Sequence, residues 1–139
     1  MSADEVTARE ADATEAADAT EAAARVADCL FCRIVAGEIP STRVHDDELV
    51  IAIRDIAPLA PTHVLLMPRR HIPSAADLTE VDAPLLGRLF AVAADLARSE
   101  GIADGGYRLI SNVGRWGGQT VDHLHIHLMG GRSFSWPPG

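Results

Sequence analysis

Lysine is missing from this chain; all 12 basic side chains are arginine, which beside so much alanine reads as compositional bias rather than function. Cysteine is scarce as well: Cys29 and Cys32 are too few and too close for a disulfide framework. No stretch approaches the run of about eighteen apolar residues that spans a bilayer. The first residues lack both the basic and the apolar segments of a secretory signal. These absences predict a cytoplasmic protein with no membrane partner. The formal charge is −8, but it is unevenly placed. Within 1–28, eight acids against Arg9 and Arg25 give −6, which leaves −2 for 29–139. A nearly neutral remainder lacks the basic footprint of a nucleic-acid-binding domain.

The chain has 139 residues, enough for one domain with its own core. Residues 1–28 are low in complexity: Ala-Asp-Ala-Thr-Glu-Ala occurs at 11–16 and again at 17–22. With no apolar stripe to pack, this stretch is expected to be a flexible acidic tail. The folded domain is placed at 29–139. Leu30, Phe31, Ile34 and Val35 suggest a short helix closed by Gly37, and strands are expected at 42–44, 49–54 and 63–67. Asp82 and Pro84 open a longer helix whose apolar side comprises Leu85, Leu86, Leu89, Phe90, Val92, Ala93 and Leu96, with Gly101 beyond its end. Residues 107–112 form a fourth strand and 119–129 a fifth. Two helices set apart from an antiparallel meander give an α+β class.

The fifth strand carries the chemistry. In His123-Leu124-His125-Ile126-His127-Leu128, strict alternation puts three imidazoles on one face, roughly 6.5–7 Å apart, and three aliphatic residues on the other. Such a ridge suits chelation of a transition metal. On the motif alone that reading stands first, but the ridge also suits attack on phosphorus, since imidazole is both nucleophile and proton donor near neutral pH. Just upstream, the glycine-rich Gly114–Gln119 is able to bring backbone N–H groups to an anion. His45 has no such neighbours and is taken as an ordinary strand or surface residue.

His-Leu-His-Ile-His-Leu-Met resembles the signature of the histidine triad (HIT) family. The segments 60–72, 117–121 and 130–139 are similar to its Hint branch of nucleoside phosphoramidate hydrolases. The resemblance covers nearly all of 29–139. It implies a five-stranded antiparallel sheet with two helices, dimerising to a continuous ten-stranded sheet, with Trp136 reaching the partner's site. It implies hydrolysis of a purine nucleoside 5′-phosphoramidate through a nucleotidylated His125, with no catalytic cofactor. His127 would contact the phosphate and His63 would support the triad. Asn112, Gly118, Gln119 and Thr120 would surround phosphate and leaving group, and Asp55 and Ile56 the ribose and base. The alternatives are a dinucleoside polyphosphate hydrolase and a non-catalytic nucleotide-binding scaffold.

This chain departs from the family in three places. Asp122 replaces a large side chain, and strand parity turns it away from the imidazoles. Ile53-Arg54 stands where many Hint proteins place an aromatic in the base pocket. Thr120 stands where many have serine. The Cys29/Cys32 pair fits half of a zinc site, a redox pair or two buried thiols. Some bacterial HIT proteins complete such a pair with two histidines, which correspond here to His71 and His123. The resemblance therefore implies a structural Zn2+ held by Cys29, Cys32, His71 and His123.

Overall fold

The computed structural model describes residues 26–139; the tail expected over 1–28 lies outside them except for its last three residues. The chain runs α1 (Leu30–Val35), β1 (Arg43–Asp46), β2 (Val50–Arg54), β3 (Thr62–Pro68), α2 (Ala83–Ser99), β4 (Tyr107–Ile110) and β5 (Ile126–Gly130). Two 3-10 turns, Ala75–Asp77 and Glu80–Asp82, precede α2. The α+β class expected from the sequence is observed, as one five-stranded antiparallel sheet with two α-helices among the described residues.

The strand order is β1-β2-β3-β5-β4, which corrects the simple meander. The connection from β3 to β4 carries α2 and sets β4 down one strand away from β3. The last strand then fills the gap, antiparallel to both. Burial explains the arrangement. Every residue of β4 is half-buried, as suits an edge, whereas β5 is buried at each position except the half-buried His127.

Strand parity divides the core in two. Val50, Ala52, Val64, Leu66, Ile126 and Leu128 meet Leu89, Val92, Ala93 and Leu96 of α2. Ile51, Ile53, Leu65 and Met67 point the other way and meet Phe31, Cys32 and Ile34 of α1. Two expected core residues are exposed instead, Leu30 and Phe90. Cys29 caps α1 by accepting the Cys32 N–H on its Sγ at 3.3 Å, and the rotation that buries Phe31 and Cys32 turns Leu30 outward. Phe90 sits about 100° around α2 from the fully buried Leu89, off the buried stripe. Asp82 precedes α2 but makes no side-chain cap bond to it; its carboxylate accepts from the Thr79 N–H and from Arg70.

The end of β5 is held by a close backbone approach. Gly131 has φ +94°, and a Cβ there would lie 2.7 Å from Cβ of Pro61. Gly131→Ala therefore combines left-handed backbone with a clash against a stiff ring, and is expected to cost about 1–3 kcal/mol. Chemical denaturation checks this: the midpoint should fall with an unchanged slope.

Candidate active site

The ladder of β5 starts later than the sequence suggests. His123 N–H donates to the Val121 carbonyl at 2.9 Å in a tight turn, and Leu124 N–H donates to the Ile72 carbonyl at 2.6 Å. Residues 119–125 therefore lie outside the strand. The alternation survives the break. Leu124, Ile126 and Leu128 join the α2 core, while the imidazoles line the α1 side, with His125 and His127 centred 5.1 Å apart. Strand parity does not govern Asp122, which follows the turn and is exposed on the rim of a cleft with Thr120 and His71.

Hydrogen-bond partners assign different tautomers to His125 and His127. A carbonyl only accepts, so the 2.7 Å contact of His125 Nδ1 with the His123 carbonyl places the proton on Nδ1. His125 Nε2 then carries a free lone pair. At His63 the logic reverses: the Leu59 N–H donates to Nδ1 at 3.0 Å, so the ring proton sits on Nε2. That proton is directed at His127 Nδ1, 2.9 Å away, with the Asp55 carboxylate 3.3 Å from the same nitrogen. His127 must accept on Nδ1 and therefore presents an Nε2–H. The ridge offers a nucleophile and, beside it, a hydrogen-bond donor.

Burial keeps both rings neutral. It lowers the pKa of His125, against the opposing pull of the His123 carbonyl and the Asp55 charge. It lowers His127 to about 4, helped by the nearby His125 and His63. An unfolded His127 takes up a proton near pH 6.5, whereas the folded one refuses it until about 4. Stability should therefore fall as the pH drops through that window, with a slope of up to about 1.4 kcal/mol per pH unit from this group. His127→Gln should flatten the melting-temperature profile between pH 6.5 and 4; an unchanged profile would show that His127 protonates freely in the folded state.

Three further groups build the site that sequence reasoning overlooked. Phe31 stands edge-on to His125, ring centres 5.0 Å apart, and to His123 at 5.9 Å. Its place inside the Cys-x-x-Cys pair was the available signal. Ser111 Oγ donates to the His125 carbonyl at 2.9 Å, fixing the backbone of that residue. The Leu59 N–H sets the His63 tautomer and leaves no trace in residue type.

The expected phosphate loop is organised differently from its sequence reading. The N–H groups of Gly117, Gly118 and Gln119 bond carbonyls within the loop, and the Gly114 N–H bonds Gln119 Oε1 at 2.9 Å. These four donors close the loop on itself rather than opening to an anion. The Gln119 amide also donates to the carbonyls of Pro73 and Val121, so its side chain fastens the loop. Asn112 lies near Gly118, whose φ is +88°. Thr120 is exposed, and Ile56 is 100% exposed beside Asp55. Ile53 is buried against α1, whereas Arg54 turns to the α2 side and pairs bidentately with Glu100 at 2.9 and 2.8 Å. The arginine does not reach the site.

Cys29, Cys32, His71 and His123 come together, with one donor atom from each within 4.8 Å of the others. Sγ of Cys29 lies 3.4 Å from His123 Nδ1, and Sγ of Cys32 lies 3.6 Å from it and 3.3 Å from His71 Nδ1. A tetrahedron with Zn–N near 2.05 Å and Zn–S near 2.3 Å has N···S edges of about 3.6 Å, so the donor set fits that ion. His123 Nε2 donates to the Pro68 carbonyl at 2.8 Å, which leaves the Nδ1 lone pair facing the thiols. The backbone N–H groups of Val26 and Cys32 point at the two sulfurs. Asp55, His63 and His127 also cluster. That group does not fit a metal, because His63 Nε2 must keep its proton while Leu59 occupies Nδ1.

The three histidines leading into and along a central strand, with a helix on each face of the sheet, accord with the HIT domain family, to which this chain belongs: the family's model matches residues 36–134. Among its relatives is the purine nucleoside phosphoramidase of Escherichia coli K12, 52% identical over 103 residues, covering 74% of this chain and 87% of that protein. The 14 kDa zinc-binding protein of Zea mays is 46% identical over 112 residues, covering 79% and 87%. A HIT family hydrolase from Legionella pneumophila superposes with a TM-score of 0.80 at 49% identity, covering 81% of this chain and all of that one.

Proposed function

We propose that this protein hydrolyses nucleoside 5′-phosphoramidates, purine nucleosides foremost, by double displacement at His125. The observation that carries the reading is the opposed tautomers of His125 and His127, a free Nε2 beside an Nε2–H. His125 Nε2 forms a bond to phosphorus as the P–N bond breaks, and the departing amine takes a proton from water. His127 Nε2–H donates to a phosphoryl oxygen as charge builds there. Water then attacks phosphorus, the P–N bond to His125 breaks, and the nucleoside monophosphate leaves. Asp55 and Ile56 hold ribose and base; Asn112, Gly118, Gln119 and Thr120 border the phosphate, Gln119 by fastening the loop. The similarity to a purine nucleoside phosphoramidase supports this substrate class. Purified protein should convert adenosine 5′-phosphoramidate to AMP and ammonia in equal amounts; no release would end the reading.

The same reading includes a structural zinc on Cys29, Cys32, His71 and His123. Four protein donors leave no position for water, so the ion would supply rigidity, not chemistry. It also includes a homodimer across β4. That strand lies at the sheet edge, and Phe90 on the neighbouring helix is 48% exposed. Phe134 is held between Arg132 and Arg108, leaving Trp136 82% exposed to reach a second copy. Light scattering at micromolar concentration should give twice the chain mass; a monomer would remove the dimer from this account. The reading also includes a cytoplasmic setting, in keeping with Cys29 and Cys32 forming no disulfide with each other; no helix among the described residues is long and apolar enough to cross a membrane.

A further inference from the structure

The proton pattern of the ridge depends on the loop between β2 and β3, and that loop has little of its own to hold it. Pro58 and Pro61 have no N–H to donate, and the Leu59 side chain is 68% exposed, so packing does not fix it. Yet Leu59 is the residue whose N–H reaches His63 Nδ1, at 3.0 Å. Its restraint comes from the chain just beyond β5. Arg132 Nε donates to the Leu59 carbonyl at 3.1 Å, and Gly131 lies close against Pro61. The guanidinium is itself held, 4.2 Å over the centre of the Phe134 ring and by a 3.0 Å bond from Nη1 to the Ser133 carbonyl. These contacts close a circuit. It runs from His127 along the chain to Arg132, across to Leu59, on to His63, and back to His127 Nδ1 at 2.9 Å.

We infer that Arg132 is a positioning residue for the reaction proposed above, on which this inference rests. By holding the Leu59 carbonyl it keeps the Leu59 N–H on His63 Nδ1, and so keeps a proton on Nε2 of both His63 and His127. Only the φ and ψ of Leu59 lie between its N–H and its carbonyl, so pinning the carbonyl limits where the N–H can point. Once released, the N–H swings off Nδ1, and a neutral imidazole is free to carry its proton on either nitrogen. With that proton on Nδ1, His63 presents a lone pair to His127, whose own proton moves to Nδ1. His127 Nε2 then faces the phosphoryl oxygens as an acceptor, and the donor is lost. The Asp55 carboxylate, 3.3 Å from His63 Nε2, favours the working tautomer in the free protein. It is also the group proposed to hold the ribose, so Arg132 matters most when nucleotide is bound.

Two variants of the full chain separate the bond from the charge. Arg132→Gln puts an amide nitrogen where arginine has Nε, without the charge; Arg132→Met has the same reach and no donor. Two-bond 1H–15N spectra with AMP bound should show His63 and His127 protonated on Nε2 alone in the wild type and in Arg132→Gln. In Arg132→Met both rings should be tautomer mixtures. With protein in saturating excess over adenosine 5′-phosphoramidate, the single-turnover rate should fall about three- to tenfold in Arg132→Met, the scale of one net hydrogen bond, and stay within about twofold in Arg132→Gln. The half-saturating protein concentration should change by less than about twofold, because the His127 donor acts on charge that builds only in the transition state. A side chain that merely stiffened the fold would lower the melting temperature and move neither the tautomers nor this split. Mixed tautomers in the wild type, wild-type tautomers or a wild-type rate in Arg132→Met, or an equal loss in Arg132→Gln, overturns the inference and leaves the phosphoramidate reading standing. No turnover of the phosphoramidate by the wild type overturns both.

Discussion

His125→Ala is expected to lower phosphoramidate turnover by at least about a thousandfold, the range seen when a covalent nucleophile is removed. Nucleotide binding should survive, because Asp55, Ile56 and the other residues proposed to hold the nucleotide remain. The variant also removes a buried ring that touches Phe31, so its melting temperature should be measured alongside. Single-turnover kinetics and calorimetric titration with AMP separate the two effects. Loss of turnover with intact binding assigns the chemical step to His125, whereas near-native turnover would show that the ridge acts without covalent attack.

Cys32→Ser is expected to abolish zinc binding and lower the melting temperature by more than about 10 °C. Structural zinc contributes many kcal/mol in small domains, and each kcal/mol moves the transition by several degrees at this size. Cys32 is fully buried, next to His71 and His123. The ion would therefore tie α1, the segment after β3 and the approach to β5 together at one point. Elemental analysis of the unmodified protein should give about one zinc per chain. Below its melting point the variant should still hydrolyse substrate, since His125 and His127 lie outside the donor set. Metal-free protein with both thiols freely titratable in the native state would reduce the cysteines to packing residues.

Much of this arrangement is legible in the sequence because it is periodic and local. The period of two in 123–128 separates histidines from aliphatics even where the ladder stops, since side-chain alternation needs only extended backbone. The helical spacing of Leu89, Val92 and Leu96 marks the α2 core equally well. What the sequence hides depends on partners far along the chain. The insertion of β5 between β3 and β4 is a pairing choice that local preference does not encode. The loop over 114–119 has glycines suited to an anion cradle, yet the Gln119 side chain draws it closed. The parity expected to orient Asp122 is interrupted by a single backbone bond, His123 N–H to the Val121 carbonyl. The tautomers of His63 and His127 originate in the Leu59 amide, which no residue type reveals.

The position of β5 also bears on how the molecule is made. Its two ladder partners, β3 and β4, are synthesised before it, and neither can pair with the other across the strand-wide gap between them. Until residues 126–130 leave the ribosome, both present open edges, the condition that invites association with other chains. Closure of the sheet and assembly of the histidine ridge are therefore one event, which waits for the strand that follows both of its neighbours in the chain. A chain stopped before Ile126 would expose its α2 core and have no triad. The histidine ridge is thus completed only together with the sheet, so a chain that lacks β5 lacks both.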